Sequence, residues 1–420
     1  FRSGFCFGVE NAIEIAYQAL DENPDKRVFL LSEMIHNPHV NDDLKKRGVQ
    51  FISKTSGEQL IPFEELNADD VVIVPAFGTT IEIENELNER NISLHKYDTT
   101  CPFVEKVWTK SEEIGRREHT VIIHGKRDHE ETRATFSHAN TTAHVVVILN
   151  IDEAEDLAKI IRGETPEEFF YERFENCYSN GFNPRLHLNR IGVVNQTTML
   201  ANETETIANL LHQAMISRYG KENSRNHFID TKDTLCYATK ENQDATLALI
   251  EDGADFAIII GGYNSSNTSH LVELCEAHMP TYFIRDANEL VSSKQIRHLD
   301  IHTKTLMDTI NWLPEREEGN TIEIILTAGA SCPDVLLDEV IRKIISWFPD
   351  KISINQAIKA QSRLKIAGAW DSEIKGDENL NDGSGDKPER KRDDEDYAYV
   401  FFDMEKAFDR FERTALEDTL

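Results

Sequence analysis

Three cysteines lie where helices are predicted to begin, and they are the residues of this chain best suited to hold a metal. Cys101 is followed by Pro102, which fits the first turn of a helix, and by apolar residues at helical spacing. Cys6 and Cys236 precede the same kind of spacing. The amide groups and the dipole at a helix start favour a thiolate. Three thiolates could hold zinc with a fourth ligand, or an iron–sulfur cluster that leaves one iron open for substrate.

After each of these cysteines the sequence predicts two strands, and each strand is followed by a loop of small polar residues. The first strands are the apolar runs 28–31, 121–123 and 257–260, and their loops contain His36, His129-Glu130-Glu131 and residues 264–267. The later strands end in the loops 75–79, 195–198 and 328–331. Open α/β sheets bind ligands at the carboxyl ends of their strands. We therefore expect three units to bring three thiols and a set of hydroxyl, amide and imidazole groups to one centre.

The sequence His129-Glu130-Glu131 is not a metalloprotease motif, because Arg133 stands where the second histidine would be. A histidine and an acid in a loop at the end of a strand suit anion binding and proton delivery, whereas the alternative is a solvated charged loop. The row of small hydrogen-bond donors 264–269 precedes a helical pattern. Helix capping explains one of these residues, and the row as a whole is suited to hold a phosphate.

Thr197 and Ser331 would join this site from the later strands of their units. Cys177, Cys275 and Cys332 lie outside the repeated pattern, and we expect them to be small residues of the core. The chain contains neither a Walker loop nor a G-x-G-x-x-G motif, so nucleotide binding has little support from the sequence.

The composition excludes several classes of function. Hydrophobic residues make up 40% and charged residues 29% of the 420, as in a soluble globular protein. A net charge of −30 argues against binding to nucleic acid, and no apolar run is long enough to cross a membrane. Six cysteines in a chain of this length favour a reducing compartment. Because the chain starts at Phe1, we expect a preceding strand or targeting peptide to be missing, so bacterial cytoplasm and plastid stroma both fit.

Strands that alternate with helical patterns predict an α/β protein with mostly parallel sheets. We predict three pseudo-repeated units, residues 1–97, 98–225 and 226–347, followed by an acidic, partly disordered extension, residues 348–420. We expect a surface insertion at 162–189 and a loop insertion around 313–320. Residues 371–396 have the composition of a linker or disordered segment. Residues 397–420 fit a docking helix and a weakly held tail equally well. Further strands are predicted near 71–74, 119–123, 145–149, 191–194, 281–284 and 322–326.

Taken in order, the motifs resemble those of the 4-hydroxy-3-methylbut-2-enyl diphosphate reductase family, which acts last in the methylerythritol phosphate route to isoprenoids. The resemblance covers about residues 4–345. The matching segments are 4–9 (GFCFGV), 35–37 (IHN), 100–104 (TCPFV), 129–131 (HEE), 195–198 (NQTT), 236–239 (CYAT), 264–267 (NSSN) and 327–331 (TAGAS).

The resemblance implies a trefoil of three α/β domains around one 4Fe–4S cluster, whose ligands would be Cys6, Cys101 and Cys236. It implies that Glu131 delivers a proton and that Thr197 relays or orients it. The residues implied around the diphosphate and its bound chain are His36, His129, Thr197, Ser265, Ser266, Asn267 and Ser331. The implied reaction is a two-electron reductive removal of the substrate's hydroxyl. Electrons would come from ferredoxin, flavodoxin or a comparable carrier, with no nucleic acid and no membrane involved.

One position departs from many bacterial members of that family. Phe77 stands where they carry a histidine, and a phenylalanine cannot donate a hydrogen bond to the diphosphate. With the HEE sequence and the 162–189 insertion, this residue resembles the plant and cyanobacterial branch. The tail after Trp347 carries no resemblance.

Two other hypotheses stay open. One is another three-cysteine cluster enzyme of the layout seen in quinolinate synthase and the diphthamide radical enzymes. The other is a zinc-stabilised binding protein without catalysis.

Overall fold

The computed structural model describes residues 4–229, 234–314 and 322–348. Its helices are α1 (Phe7–Glu22), α2 (Pro38–Lys46), α3 (Ile81–Glu89), α4 (Pro102–Arg116), α5 (Glu130–Asn140), α6 (Ile151–Arg162), α7 (Glu167–Arg173), α8 (Pro184–His187), α9 (Ala201–Tyr219), α10 (Tyr237–Asp252), α11 (Ser266–Glu276) and α12 (Asp334–Ser346). Within this part of the chain, every helix is too short or too polar to cross a membrane.

The strands of the described residues form three sheets, of which two are entirely parallel. The first sheet has the order β2 (Gln50–Phe51), β1 (Val28–Leu30), β3 (Val71–Ile73). The second has the order β5 (Val145–Ile148), β4 (Thr120–His124), β6 (Ile191–Asn195), β7 (Phe228–Ile229). All residues of β4, β5 and β6 are buried, as expected for parallel strands covered on both faces.

The third sheet combines parallel strands with an antiparallel hairpin. Its order is β11 (Thr305–Ile310), β10 (Gln295–Asp300), β9 (Thr281–Ile284), β8 (Phe256–Ile260), β12 (Ile324–Ala328). β8 pairs in parallel with β9 and β12, whereas β10 pairs antiparallel with β9 and β11. The sequence did not predict the hairpin, because β11 is exposed along almost its whole length and shows no inside–outside alternation. The strand predicted at 322–326 is wrong by two residues, since pairing with β8 begins at Ile324.

The segment 162–189, predicted as a surface insertion, has many exposed or partly exposed side chains and one buried side. This segment contains α7 and α8, and Phe170, Phe174 and Cys177 within it are at most 1% exposed. They belong to the same hydrophobic core as the strands of the second sheet, and the rings of Phe170 and Phe174 lie 5.3 Å apart. The aromatic content of the segment accounts for this buried side, because removing large apolar rings from water is favourable.

The three sheets correspond to the three predicted units with one adjustment. β7 pairs with β6 although it lies beyond the boundary predicted at residue 225. We therefore propose that the second unit extends to Ile229, and we keep the other boundaries as proposals. The predicted linker 371–396, the segment 397–420 and most of the loop 313–320 lie outside the described residues.

Candidate active site

Each of the three cysteines predicted to bind a metal caps a helix. Cys6 precedes α1, Cys101 precedes α4 and Cys236 precedes α10, all with extended backbone conformations. Pro102 occupies the first position of α4, where the missing N–H is not needed. The predicted helix starts are therefore confirmed at all three cysteines.

The backbone amides of these cysteines connect the three units in a closed ring, which we call the amide ring. Each amide donates a hydrogen bond to a carbonyl in the loop after β3, β6 or β12, always from a unit other than its own. The bonds are Cys101 N to Ala76 O (3.0 Å), Cys236 N to Thr197 O (3.2 Å) and Cys6 N to Ala330 O (3.2 Å). The ring fixes three helix starts around one centre.

Burial raises the pKa of all three thiols, to about 11 at Cys101 and about 12 at Cys236. Amide groups at the helix starts lower each pKa, but by less than burial raises it. The predicted effect of the amides is therefore present at all three thiols, but burial outweighs it. A metal reverses the balance, because a thiol that coordinates a metal gives up its proton.

The space between the thiols fits an iron–sulfur cluster. All three thiols line one cavity, and a charge on Cys6 raises the pKa of the other two thiols, as expected for close neighbours. Gly8 allows the close approach of α1, since a Cβ there would lie 2.7 Å from Cys101 Sγ. An iron–sulfur cluster contains several atoms, so its thiol ligands surround a cavity and do not meet at one point.

Glu131 is a buried carboxyl group held by Thr197. It is the second residue of α5 and is only 1% exposed. The amide of Thr197 donates to Glu131 Oε1 at 2.5 Å, and its hydroxyl donates to Oε2 at 2.9 Å. Burial raises the pKa of Glu131 to about 7, although the hydrogen bonds from Thr197 lower it. A carboxyl group with this pKa carries a proton in many molecules near neutral pH and can act as an acid.

Three rings form one wall of the cavity. The centroid of Phe77 lies 4.4 Å from that of His36 and 5.5 Å from that of His129. His129 Nδ1 accepts a hydrogen bond from the amide of Glu131 at 3.2 Å, which leaves Nε2 to carry the proton. Burial lowers the pKa of His129 well below its ordinary value, so the ring is neutral. His129 can therefore donate one hydrogen bond from this wall, whereas Phe77 donates none.

The start of α11 presents hydroxyl and amide groups to the same cavity. Ser265 caps the helix and accepts hydrogen bonds from Thr268 N at 3.3 Å and Thr268 Oγ1 at 2.9 Å. Its own hydroxyl proton is thus directed to another acceptor. Asn267 accepts from the amide of Ala330 at 3.2 Å and donates to Thr239 at 3.0 Å. The predicted capping role is confirmed, and the positive end of a helix dipole lies beside these donors.

All residues predicted for the site line this one cavity, which confirms the predicted convergence. They are Cys6, Cys101, Cys236, His36, His129, Glu131, Thr197, Ser265, Ser266, Asn267 and Ser331. Their individual roles stay predictions. Cys177, Cys275 and Cys332 are buried in three different hydrophobic cores, as predicted.

A family comparison agrees with this geometry. Residues 2–345 match the model of the family described as LytB protein. The chain belongs to the LytB family. An iron–sulfur cofactor is implied by membership of this family.

Cyanobacterial relatives match most of this LytB-family chain. A 4-hydroxy-3-methylbut-2-enyl diphosphate reductase from Gloeobacter violaceus is 41% identical over 344 residues, which cover 81% of this chain and 80% of the relative. The reductase from Synechocystis is 40% identical over 367 residues, 87% of this chain and 90% of the relative. The structure of the reductase from Plasmodium falciparum is similar in fold, with a TM-score of 0.57, 20% identity and coverage of 83% of this chain and 86% of that one. The predicted family and the α/β fold are confirmed.

Two contacts of this LytB-family site were not predicted. The hydroxyl of Thr239 lies 2.9 Å from Cys236 Sγ and accepts from Asn267, so it links a thiol to the start of α11. The spacing of three residues between cysteine and threonine at a helix start is a capping signal that could have indicated it. Glu130 contacts His36 across the cavity wall, and no pattern in the sequence connects those two positions.

Proposed function

We propose that this enzyme removes the hydroxyl group of 4-hydroxy-3-methylbut-2-enyl diphosphate, giving isopentenyl diphosphate and dimethylallyl diphosphate as the last step of the methylerythritol phosphate pathway. One C–O bond breaks, two electrons and two protons are consumed, and water leaves. The observation that carries this proposal is the buried acid Glu131, which lies in the same cavity as three thiols. The names of the cyanobacterial relatives support the same substrate.

We propose one 4Fe–4S cluster, held by Cys6, Cys101 and Cys236. When bound, such a cluster supplies electrons and a Lewis-acidic iron. The electrons would come from a small protein carrier of the ferredoxin or flavodoxin type. On one side of the three thiols, Gly8 at the start of α1 packs against Cys101. On another side, the hydroxyl group of Thr239 contacts Cys236.

Glu131 and Thr197 provide the proton. When Glu131 is protonated at Oε2, the Thr197 hydroxyl 2.9 Å away becomes the acceptor of that proton, and its own proton is free to turn elsewhere. Thr197 can therefore relay a proton or keep the carboxyl group in position. Because Glu131 is buried, bulk water does not compete for this proton.

Local donors would bind the diphosphate, since the net charge of −30 repels anions. The donors are His129 through Nε2, the Ser265 hydroxyl, Ser266, Asn267 and Ser331, with His36 on the ring wall. The dipole of α11 adds to their attraction for negative charge.

The first experiment measures iron and acid-labile sulfide in anaerobically purified protein, followed by its electron paramagnetic resonance spectrum with the hydroxylated diphosphate. About four irons and four sulfides per chain, and a reduced-cluster signal that the diphosphate changes, would support the proposal. A cluster that ignores the diphosphate would favour the enzyme class with the quinolinate synthase layout. Zinc without sulfide would exclude redox chemistry.

Thr197→Val is expected to move the pH dependence of turnover to higher pH. The hydrogen bonds from Thr197 lower the pKa of Glu131, so loss of the hydroxyl raises that pKa. The acid then stays protonated to a higher pH, and the fall of turnover on the alkaline side begins later. Turnover is measured against pH for both proteins, and an unchanged profile would contradict the contact between Thr197 and Glu131.

Ser265→Ala is expected to raise KM for the diphosphate about tenfold, because the substitution removes one hydrogen bond to a charged group. The effect on kcat should be smaller. The substitution also removes a helix cap, which lowers stability by about 1 kcal/mol. Thr80→Ala is the matched control, because Thr80 caps α3 by accepting from Ile83 N at 3.4 Å and does not line the cavity. Equal KM values in Ser265→Ala and Thr80→Ala would exclude the diphosphate contact.

A further inference from the structure

A buried histidine and a buried carboxyl group meet beside the cavity, and the site described above gives the carboxyl group no role. His36 Nε2 lies 2.8 Å from Glu130 Oε2, and the two side chains are 7% and 6% exposed. Glu130 Oε1 is also buried and has no hydrogen-bond partner among the described residues. A buried carboxylate is unstable unless another group compensates its charge. His36 is the group that contacts it.

The position of Glu130 at the start of α5 explains how the charge is tolerated. It is the first residue of the helix, where the dipole stabilises a carboxylate. Successive helical residues point about 100° apart, so Glu130 and Glu131 leave the helix in different directions. One carboxyl group meets Thr197 and the other meets His36. Adjacent acids thus have separate partners and separate tasks.

The contact at Nε2 determines what the other nitrogen of His36 can do. A neutral ring that donates from Nε2 has only a lone pair at Nδ1, whereas an imidazolium donates from both nitrogens. Glu130 Oε2, 2.8 Å from Nε2, is the acceptor for the hydrogen bond that either form donates there. Within the described residues, the hydrogen bond of His36 is the one at Nε2, and the side chain lines the cavity. Nδ1 is therefore available to a ligand.

The neighbouring rings bring no charge to this wall. Phe77 lies 4.4 Å from His36 and has no donor, and His129, 5.0 Å from His36, is neutral. Without a hydrogen bond from His36, an anion at the wall would meet one neutral donor and one aromatic face. Nδ1 of His36 is a further position on this wall from which an anion could receive a hydrogen bond.

We propose that Glu130 is a positioning residue: it holds Nε2 of His36, and it serves as the counter-charge when Nδ1–H of this ring donates to the anionic end of the substrate. This inference rests on the proposed function, because it concerns the same diphosphate. Glu130 itself does not contact the ligand. It acts through His36, whose Nδ1 can offer the hydrogen bond that Phe77 cannot offer.

The test uses the cluster-loaded enzyme and compares wild type, Glu130→Gln, His36→Ala and the double variant. Glu130→Gln is expected to raise KM for the hydroxylated diphosphate, and the inhibition constant of inorganic diphosphate, about tenfold, with kcat changed less than about threefold. In the His36→Ala background, Glu130→Gln is expected to have no further effect, because two residues that act through one contact are not additive. Glu276→Gln is the matched control, since Glu276 contacts His302 at 2.7 Å on the surface.

Turnover is divided by the cluster content of each preparation, so that a variant that incorporates little cluster can still be compared with wild type. Glu130→Asp serves as a second variant, and because it keeps the charge it should recover most of the affinity. A KM within about twofold of wild type in Glu130→Gln, or effects that multiply in the double variant, would overturn the inference and leave the proposed function intact. A wild-type enzyme that neither reduces the hydroxylated diphosphate nor binds inorganic diphosphate would overturn both.

Discussion

Glu131→Gln is expected to lower turnover by about 10²- to 10⁴-fold, the usual contribution of a general acid, while cluster content and KM stay near their wild-type values. Glutamine preserves the size of the side chain but has no acidic proton. Because burial raises the pKa of Glu131 to about 7, wild-type turnover should decrease as pH rises above 7 and the protonated fraction falls. The variant should lack this decrease. Steady-state turnover with a reduced carrier, measured from about pH 6 to about pH 9, tests both statements.

Glu82→Gln provides the control for this substitution. Glu82 also accepts a hydrogen bond from a hydroxyl group, Ser137 Oγ at 2.7 Å, but it does not line the cavity. Its replacement should leave turnover unchanged. Near-normal turnover in Glu131→Gln would show that the proton comes from another group, and the role assigned to Glu131 would have to be abandoned.

Cys101→Ala is expected to abolish the cluster and, with it, all turnover. Three thiols from three units hold the proposed cluster, and two are not enough to retain it. Iron and acid-labile sulfide should fall from about four each per chain to near zero, and the visible absorption of the cluster should disappear. Circular dichroism of the variant should still show a folded α/β protein, because Cys101 is the cap of α4 and not part of a hydrophobic core.

Cys275→Ala is the matched control for the loss of a thiol. Cys275 is fully buried in a hydrophobic core with Leu271 and Phe283 and lies outside the cavity. Its replacement should reduce the free energy of unfolding modestly and leave the iron content unchanged. A full complement of iron in Cys101→Ala would rule out Cys101 as a ligand.

The sequence predicted the parts of this site that repeat. The three cysteines, the apolar strands and the polar loops recur in the same order, and parallel α/β geometry brings strand ends together. The helix starts at Cys6, Cys101 and Cys236 and the shared cavity were therefore predictable. The family resemblance added roles for individual residues.

Features that depend on distant contacts were not predictable from local patterns. The segment 162–189 reads as polar, yet its aromatic rings complete the second core. The contact between Glu130 and His36 joins different units, and nothing at either position indicates it. The competition between burial and helix-start amides at the thiols also depends on three-dimensional packing, so the protonation state could not be obtained from the sequence.

The amide ring has a consequence for the order in which the living cell makes this protein. Its bond between Cys6 N and Ala330 O joins the beginning of the described chain to nearly its end. Ala330 leaves the ribosome roughly tens of seconds after Cys6 at ordinary rates of translation. Until then the amide of Cys6 has no acceptor in the ring, although Cys236 and its acceptor Thr197 have already been made. A chain that stops before Ala330 therefore cannot close the amide ring.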